Sequence, residues 1–191
     1  MHQPTSAPTI VSHLPTLDIL LHQWRSQLGK DHEAYRNHVY RVVNHCLCYA
    51  STHNLTLSQI DIEKIAIAGA FHDIGIWLDN TFDYLGPSEQ RANNYLVREG
   101  KSHWVNPIIR MISEHHKLTQ CDVEEHSFAE MFRQADWIDV SMGMITFALP
   151  RSQVRLIRKA FPYVGFHKRL IQLSLANSLK SPLKPLPMFK W

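Results

Sequence analysis

The chain has 191 residues, 45% of them hydrophobic, and a formal net charge of +3. This length predicts one domain with at most a short extension, and the apolar content is sufficient for a sizeable core. The small net charge argues against a nucleic-acid-binding protein, and no apolar run approaches the length of a membrane span. The N-terminal stretch MHQPTSAPTIVSHLP is not a signal peptide, and the three cysteines form no Cys-x-x-Cys pattern, so we expect a cytoplasmic protein with reduced thiols.

Helix patterns then follow one another along the chain. They are LPTLDILLHQWRSQLGK from Pro15 to a stop at Gly29, DHEAYRNHVYRVVNHCLCYASTHN from Asp31, SQIDIEKIAIAGAFHDIGIW from Ser58, LGPSEQRANNYLVREG with Gly100 as its stop, NPIIRMISEHHK from Asn106, SFAEMFRQADWIDVSMGMITFAL from Ser127, SQVRLIRKAF from Ser152, and GFHKRLIQLSLANSLK. The third helix is expected to end near Gly75, and Ser127 with Glu130 predicts a capping box.

No alternating strand pattern, internal repeat or glycine-rich phosphate loop occurs in the sequence. The prediction is therefore an all-α protein of about eight helices. We expect a flexible leader over residues 1–13, a single helical domain over 14–180 and a proline-rich extended tail over 181–191.

The charge is unevenly distributed. After Asp139 the chain has no acidic residue, but it has nine basic ones: Arg151, Arg155, Arg158, Lys159, Lys168, Arg169, Lys180, Lys184 and Lys190. Such a segment attracts an anionic ligand, an acidic partner or a membrane surface. The alternative interpretation, solvated outer faces of helices, carries equal weight.

Four of the predicted helices bring His or Asp into an apolar setting. These residues are His38 and His45, the pair His72 and Asp73, the pair His115 and His116, and Asp136 with Asp139. Buried polar groups of this kind cost several kcal/mol unless they are paired or bind a metal. Imidazole and carboxylate together suit one divalent transition metal ion, Mn, Fe, Co, Ni or Zn, and such an ion activates a bound water as a nucleophile.

The order His38, then His72-Asp73, then Asp136 resembles the HD superfamily of metal-dependent hydrolases, which are all-helical. The segments AFHDIG, QADWID and IIRMISEHH are similar to the family's local contexts, and the resemblance covers residues 30–145. It implies an HD-like bundle with a metal site between helices. It also implies that His38, His72, Asp73 and Asp136 are the metal ligands.

Two of these positions have a competitor on the same helix. His45 lies one heptad after His38 on the same face, but the order and apolar spacing favour His38, which leaves His45 as a core histidine or a support for a ligand. Asp139 competes with Asp136. Because Asp136 is flanked by Ala and Trp in the middle of a helix, it is the costlier residue to bury without a partner, and it is favoured.

Departures from the family pattern argue against some branches of the superfamily. Ile76 stands where the deoxynucleotidase and alarmone-hydrolase branches usually carry an acid, and the Gly-Tyr-Pro signature of the cyclic-dinucleotide branch is absent. The segments LGPSEQRANNYLVREG and AFPYVGFHKRL are more similar to the cyanamide-hydratase-like branch, whose acidic position matches Glu89.

Further residues receive catalytic or substrate-binding roles. Asp73 on the metal is expected to accept a proton, Glu89 to orient a water or act as general base, and His115 to assist. For Glu89 the alternative is an acid favoured by the helix dipole. His116, Lys117 and Arg151 are the expected substrate-binding residues, and Arg155 is a further candidate for a phosphate.

The leading hypothesis is a metal-dependent hydrolase acting on a small substrate, with phosphate esters as the first candidates. The alternatives are hydration of a nitrile-type molecule, a di-iron oxygenase, and a non-catalytic module that binds metal or ligand. A second ion at His115 and His116 is the less favoured arrangement, because His103 is the only other histidine between Asp73 and His115. Assembly into a homo-oligomer is left open.

Overall fold

The computed structural model describes residues 10–121 and 126–180. Within this part the chain forms eight helices of nine or more residues and no β-strand, which confirms the all-α class. They are α1 (Pro15–Gln23), α2 (His32–Thr52), α3 (Gln59–Phe71), α4 (Leu85–Arg98), α5 (Val105–Glu114), α6 (Phe128–Val140), α7 (Arg151–Ala160) and α8 (Phe166–Lys180). Short helical turns occur at Arg25–Leu28, Gly29–Asp31, Gly75–Leu78 and Ser102–Trp104.

The ends of the predicted domain fall partly outside this description. The predicted tail over 181–191 and residues 1–9 of the predicted leader lie outside the described residues. The next residues lie against α2, where the Val11 amide donates to Asn44 Oδ1 and the Asn44 amide donates to the Val11 carbonyl, both at 2.9 Å. No helix in the described ranges is both long enough and apolar enough to cross a membrane.

Local sequence signals account for several helix ends. The Ser58 hydroxyl accepts from the Asp61 amide, and the Asp61 carboxylate accepts from the Ser58 amide, so a complete capping box begins α3. Pro15 occupies the first position of α1, where a missing N–H is harmless. Helix α4 ends two residues before Gly100, as predicted.

Two helices end earlier than the sequence predicts. Helix α3 ends at Phe71 instead of near Gly75. Helix α6 ends at Val140, where Met142 and Gly143 take positive φ angles of 55° and 76° and the Gly143 amide returns to the Ile138 carbonyl.

The predicted capping box of α6 is only half formed. Ser127 accepts from the Glu130 amide, but the Glu130 carboxylate accepts from Arg133 and from the Cys121 amide. The reason is that Arg133 is itself buried, and leaving a buried guanidinium without a carboxylate costs more than leaving one amide at a half-buried helix start without a side-chain acceptor.

Helix α2 runs through the centre of the molecule. Most of its residues are buried, and it packs against α3, α6, α7 and the start of α8. Helix α5 packs against α3, α4 and α6, and α1 covers α3. This arrangement brings the C-terminal ends of α3 and α5 and one face of α6 to the same part of α2, around His38.

Candidate metal centre

Polar side chains from four segments meet at one buried point. His38 projects from α2 and Asp136 from α6, His72 and Asp73 follow α3, and His115 follows α5; none of these residues is more than 4% exposed. The Nε2 atoms of His38 and His72 are 2.9 Å apart, and they lie 3.6 and 3.7 Å from Asp136 Oδ1. His38, His72 and Asp73 offer ligand atoms that all lie within 4.8 Å of one another.

A second group of potential ligands shares Asp73. His115 Nε2 lies 3.4 Å from Asp73 Oδ1, and His116 Nδ1 lies 3.9 Å from Asp136 Oδ2. Ligand atoms of Asp73, His115 and His116 also lie within 4.8 Å of one another. His116 is the most exposed member of the cluster, with 12% of its side chain accessible, so this side faces solvent.

The end of α3 explains how two adjacent residues reach one point. Adjacent residues within a helix project about 100° apart. His72 closes the helix with its amide bonded to the Ala68 carbonyl, and the chain then turns, with the Ile74 amide on the Phe71 carbonyl. Because Asp73 lies in this turn rather than in the helix, its carboxylate lies 3.4 Å from His72 Nε2.

Hydrogen bonds at Nδ1 set the tautomer of three histidines. His72 Nδ1 lies 2.8 Å from the Gly69 carbonyl, and His115 Nδ1 lies 2.6 Å from the Ile112 carbonyl. His38 Nδ1 lies 2.6 Å from the Asp139 carboxylate. Carbonyls and carboxylates only accept, so each Nδ1 is the donor of its hydrogen bond and each ring turns its Nε2 toward the centre of the cluster.

Asp139 binds His38 at Nδ1, the ring nitrogen that faces away from the cluster. Burial alone would raise the pKa of Asp139, but the hydrogen bond from His38 and the charge of Arg41 hold that pKa well below its usual range. The Arg41 guanidinium is also fully buried; it donates to both oxygens of Asp139 and to the Phe161 carbonyl. Asp139 is therefore a carboxylate that orients His38 from the side opposite the cluster.

The cluster is not satisfied by protein groups alone. Both oxygens of Asp136, Asp73 Oδ1 and His115 Nε2 are buried without a hydrogen-bond partner. Burial, together with the charges of Asp73 and Asp139, raises the pKa of Asp136, and burial lowers the pKa of His72 to about 3. Converging lone pairs and carboxylates repel one another unless a cation lies among them, so these residues fit a divalent metal ion.

Comparison with known protein families identifies the family to which this helical fold belongs. The sequence pattern that defines the HD domain matches residues 35–140, more than half of the chain. The chain belongs to the HD domain family. HD domains bind divalent metal ions, and the superfamily is one of metal-dependent hydrolases. No curated protein and no solved structure matches the chain.

The other predicted site residues, Glu89 and Lys117 within the HD domain and Arg151 beyond it, lie at three different places. Half-buried Glu89 lies just after the first turn of α4, next to Ser88, whose hydroxyl accepts from the Gly75 amide in the turn after Asp73. Half-buried Lys117 follows His116, and its ammonium lies 3.9 Å from Glu114. Arg151 is exposed at the start of α7 and lines a cavity that no residue of the cluster lines.

The surroundings of the competing residues on α2 and α6 distinguish which of them face the cluster. His45 is buried, its Nδ1 has no partner, and burial lowers its pKa to about 4, so it is a neutral core histidine. Asp136 faces the cluster, while Asp139 lies behind His38.

Three residues of the site were not predicted in their roles. They are Arg41, Asp139 as the partner of His38, and Tyr84, whose hydroxyl is 2.6 Å from His116 Nε2. Arg41 lies three residues after His38 on α2, so the spacing of a buried arginine and a histidine on one helix was an available signal. Tyr84 precedes α4 and reaches the site only through tertiary packing.

Proposed function

We propose that this HD domain is a hydrolase that requires one divalent transition metal ion held by His38, His72, Asp73 and Asp136, and that it acts on a small phosphorylated molecule. One observation carries the metal requirement: imidazole nitrogens and unpartnered carboxylate oxygens converge on one buried point. Such a convergence has no structural benefit without a cation, because each unpartnered buried polar group costs about 1–3 kcal/mol.

When bound, the ion supplies a lowered pKa for a coordinated water and polarises a substrate oxygen. The residues of the chain supply the remaining functions. Asp73 Oδ1 is unpartnered beside His115 Nε2, which places a proton acceptor and an imidazole 3.4 Å apart. In the metal-free cluster, the close approach of Asp73 and the charge of Asp136 outweigh the effect of burial and raise the pKa of His115. The position of its Nε2 beside Asp73 is what suits His115 to take up the proton that leaves the nucleophile.

Access to the cluster favours a small substrate that enters beside His116. The side chains of His38, His72 and Asp136 are at most 1% exposed, while His116 is 12% exposed. Tyr84 contacts His116 at this edge, and burial and the nearby charges of Asp73 and Asp136 raise the pKa of Tyr84, so its hydroxyl stays protonated. His116 and Lys117 are the groups that we expect to contact the substrate.

The first test is the metal content of matched variants. His38→Gln and His45→Gln each remove a buried imidazole from α2, but only His38 belongs to the cluster. We expect close to one ion per chain in the wild type and in His45→Gln, and a loss of that ion in His38→Gln and Asp73→Ala. Retention of the ion in His38→Gln, in protein whose helix content is normal, would contradict the assigned ligands.

A second test examines the proposed reaction independently of metal binding. Purified wild type loaded with Mn, Fe, Co, Ni or Zn is assayed for phosphate release from a panel of small phosphate esters and for hydration of cyanamide and simple nitriles. Phosphate release that is lost in Asp73→Ala supports the proposal. Nitrile hydration without phosphate release, or bound metal without turnover of either class, would overturn the proposed reaction and leave the metal site in place. Two ions per chain would assign the second to Asp73, His115 and His116.

A further inference from the structure

A cluster of arginines lies outside the metal centre. Arg151, Arg155 and Arg158 line a cavity of about 190 Å³ between α7 and the turn after α6. Their spacing of four and three residues places all three guanidinium groups on one face of α7. Each of the three residues is exposed, so a ligand can reach them directly from solvent.

These charges are not neutralised by the rest of the described chain. None of the three arginines makes an ion pair with a carboxylate of residues 10–121 or 126–180, although Arg158 also contacts the Tyr163 hydroxyl. The sequence after Asp139 supplies no acid at all. Three like charges around one cavity repel one another, and an anion between them relieves this repulsion.

The opposite wall is a turn held close to the helix. Met142 and Gly143 take positive φ angles, and their amides bond to the Asp139 and Ile138 carbonyls of α6. A Cβ at Gly143 would lie 2.9 Å from Val154 Cγ1 and would sit on a backbone with a φ of 76°, so glycine is the residue that suits this close approach. The cavity is therefore formed by a defined turn against α7 and is more than a row of charges on an open helix face.

We propose that this cavity binds a small, multiply charged phosphate anion at a site separate from the metal centre. Guanidinium groups match phosphate oxygens in charge and in bidentate geometry, and three of them suit an anion with at least two negative charges. The residues that line the cavity include none of the metal cluster, so this binding does not depend on the proposed hydrolase activity.

The experiment is a calorimetric titration of the full chain with inorganic pyrophosphate at about physiological ionic strength, where diffuse surface attraction is screened. The variants are the double variant Arg151→Gln/Arg155→Gln, and Lys159→Gln as a control that removes a cation from the same helix outside the cavity. Asp73→Ala is the second control, because pyrophosphate also has affinity for metal ions.

We expect saturable binding of one pyrophosphate to the wild type, to Lys159→Gln and to Asp73→Ala. Each arginine contributes charge-assisted hydrogen bonds, so the double variant is expected to bind at least about tenfold more weakly. Equal weakening by Lys159→Gln, binding that disappears in Asp73→Ala but persists in the double variant, or no saturable binding by the wild type would each overturn the proposal. Circular dichroism of each variant verifies that the overall helix content is unchanged.

Discussion

At the scale of single residues, Asp139 determines the orientation of the neighbouring His38 ring. Its carboxylate accepts from His38 Nδ1 and is neutralised by Arg41, both in fully buried surroundings. A ligand histidine with its Nδ1 proton engaged in this way presents a more basic Nε2 in a fixed direction. Asp139 thereby contributes to metal binding without being among the groups that contact the ion.

We predict that Asp139→Asn weakens metal binding by about 10–100-fold, because an amide no longer holds the charge that polarises His38. The measurement is a competition titration against a chelator of known affinity. Glu130→Gln is the matched control, since Glu130 also pairs with a buried arginine on α6 but contacts no residue of the cluster. Both variants lose about 1–3 kcal/mol of stability; wild-type metal affinity in Asp139→Asn would refute the orienting role.

At the scale of elements, the close approach of two segments positions Asp73. Gly75 begins the short turn after the cluster residues, and a Cβ there would lie 2.8 Å from the Tyr84 carbonyl and 3.1 Å from Ser88 Oγ. The Gly75 amide also donates to Ser88. The turn that carries Asp73 and the start of α4 therefore fit together only when residue 75 has no side chain.

We predict that Gly75→Ala destabilises the protein by about 1–3 kcal/mol and reduces its metal content, because a backbone carbonyl is the obstacle and cannot rotate away. Gly86→Ala is the control: it lies nearby in α4, and a Cβ there meets nothing within 4 Å. Alanine at that helical position is expected to be neutral or to stabilise by up to about 1 kcal/mol. Thermal unfolding and metal analysis of both variants test the pair, and equal effects would contradict the packing argument.

At the scale of the whole molecule, several carboxylates buried close together affect the stability of the fold. Asp73 and Asp136 lie in the core with unpartnered oxygens, while Asp139 is paired with Arg41. Without a cation, the unpartnered groups destabilise the fold, and a metal ion that binds only the folded state stabilises it. Stability and metal binding are thus coupled through the same few atoms.

We predict that chelation lowers the melting temperature of the wild type by about 5–10 °C in a chain of this size, because a metal ion present at about 100 times its Kd stabilises the folded state by about 2.7 kcal/mol. Asp136→Asn is expected to lose this response. In chelator it is expected to melt above the wild type, because an amide at this position removes a buried negative charge. Melting curves of both proteins with and without chelator test this prediction. If chelator still lowers the melting temperature of Asp136→Asn as it does that of the wild type, Asp136 is not a metal ligand.

Much of the molecule follows from the sequence alone. The all-α class and most helix starts could be predicted, because capping residues, prolines and apolar spacing act over a few neighbouring residues. The HD family was also recognisable from the order of His38, His72-Asp73 and Asp136, and the family match over residues 35–140 confirms it. The metal ligands and the small phosphorylated substrate remain predictions for the experiments above.

The tertiary structure decided what depends on contacts between distant segments. Asp136 and Asp139 are three residues apart on one helix. The local sequence favoured Asp136 as the ligand, but no local pattern indicated that Asp139 binds His38, which lies 101 positions away. Tyr84 reaches His116, and Arg151 lines a separate cavity, for the same reason. Side-chain directions at a site are set by how helices pack, and packing energy is a property of the whole core rather than of any one segment.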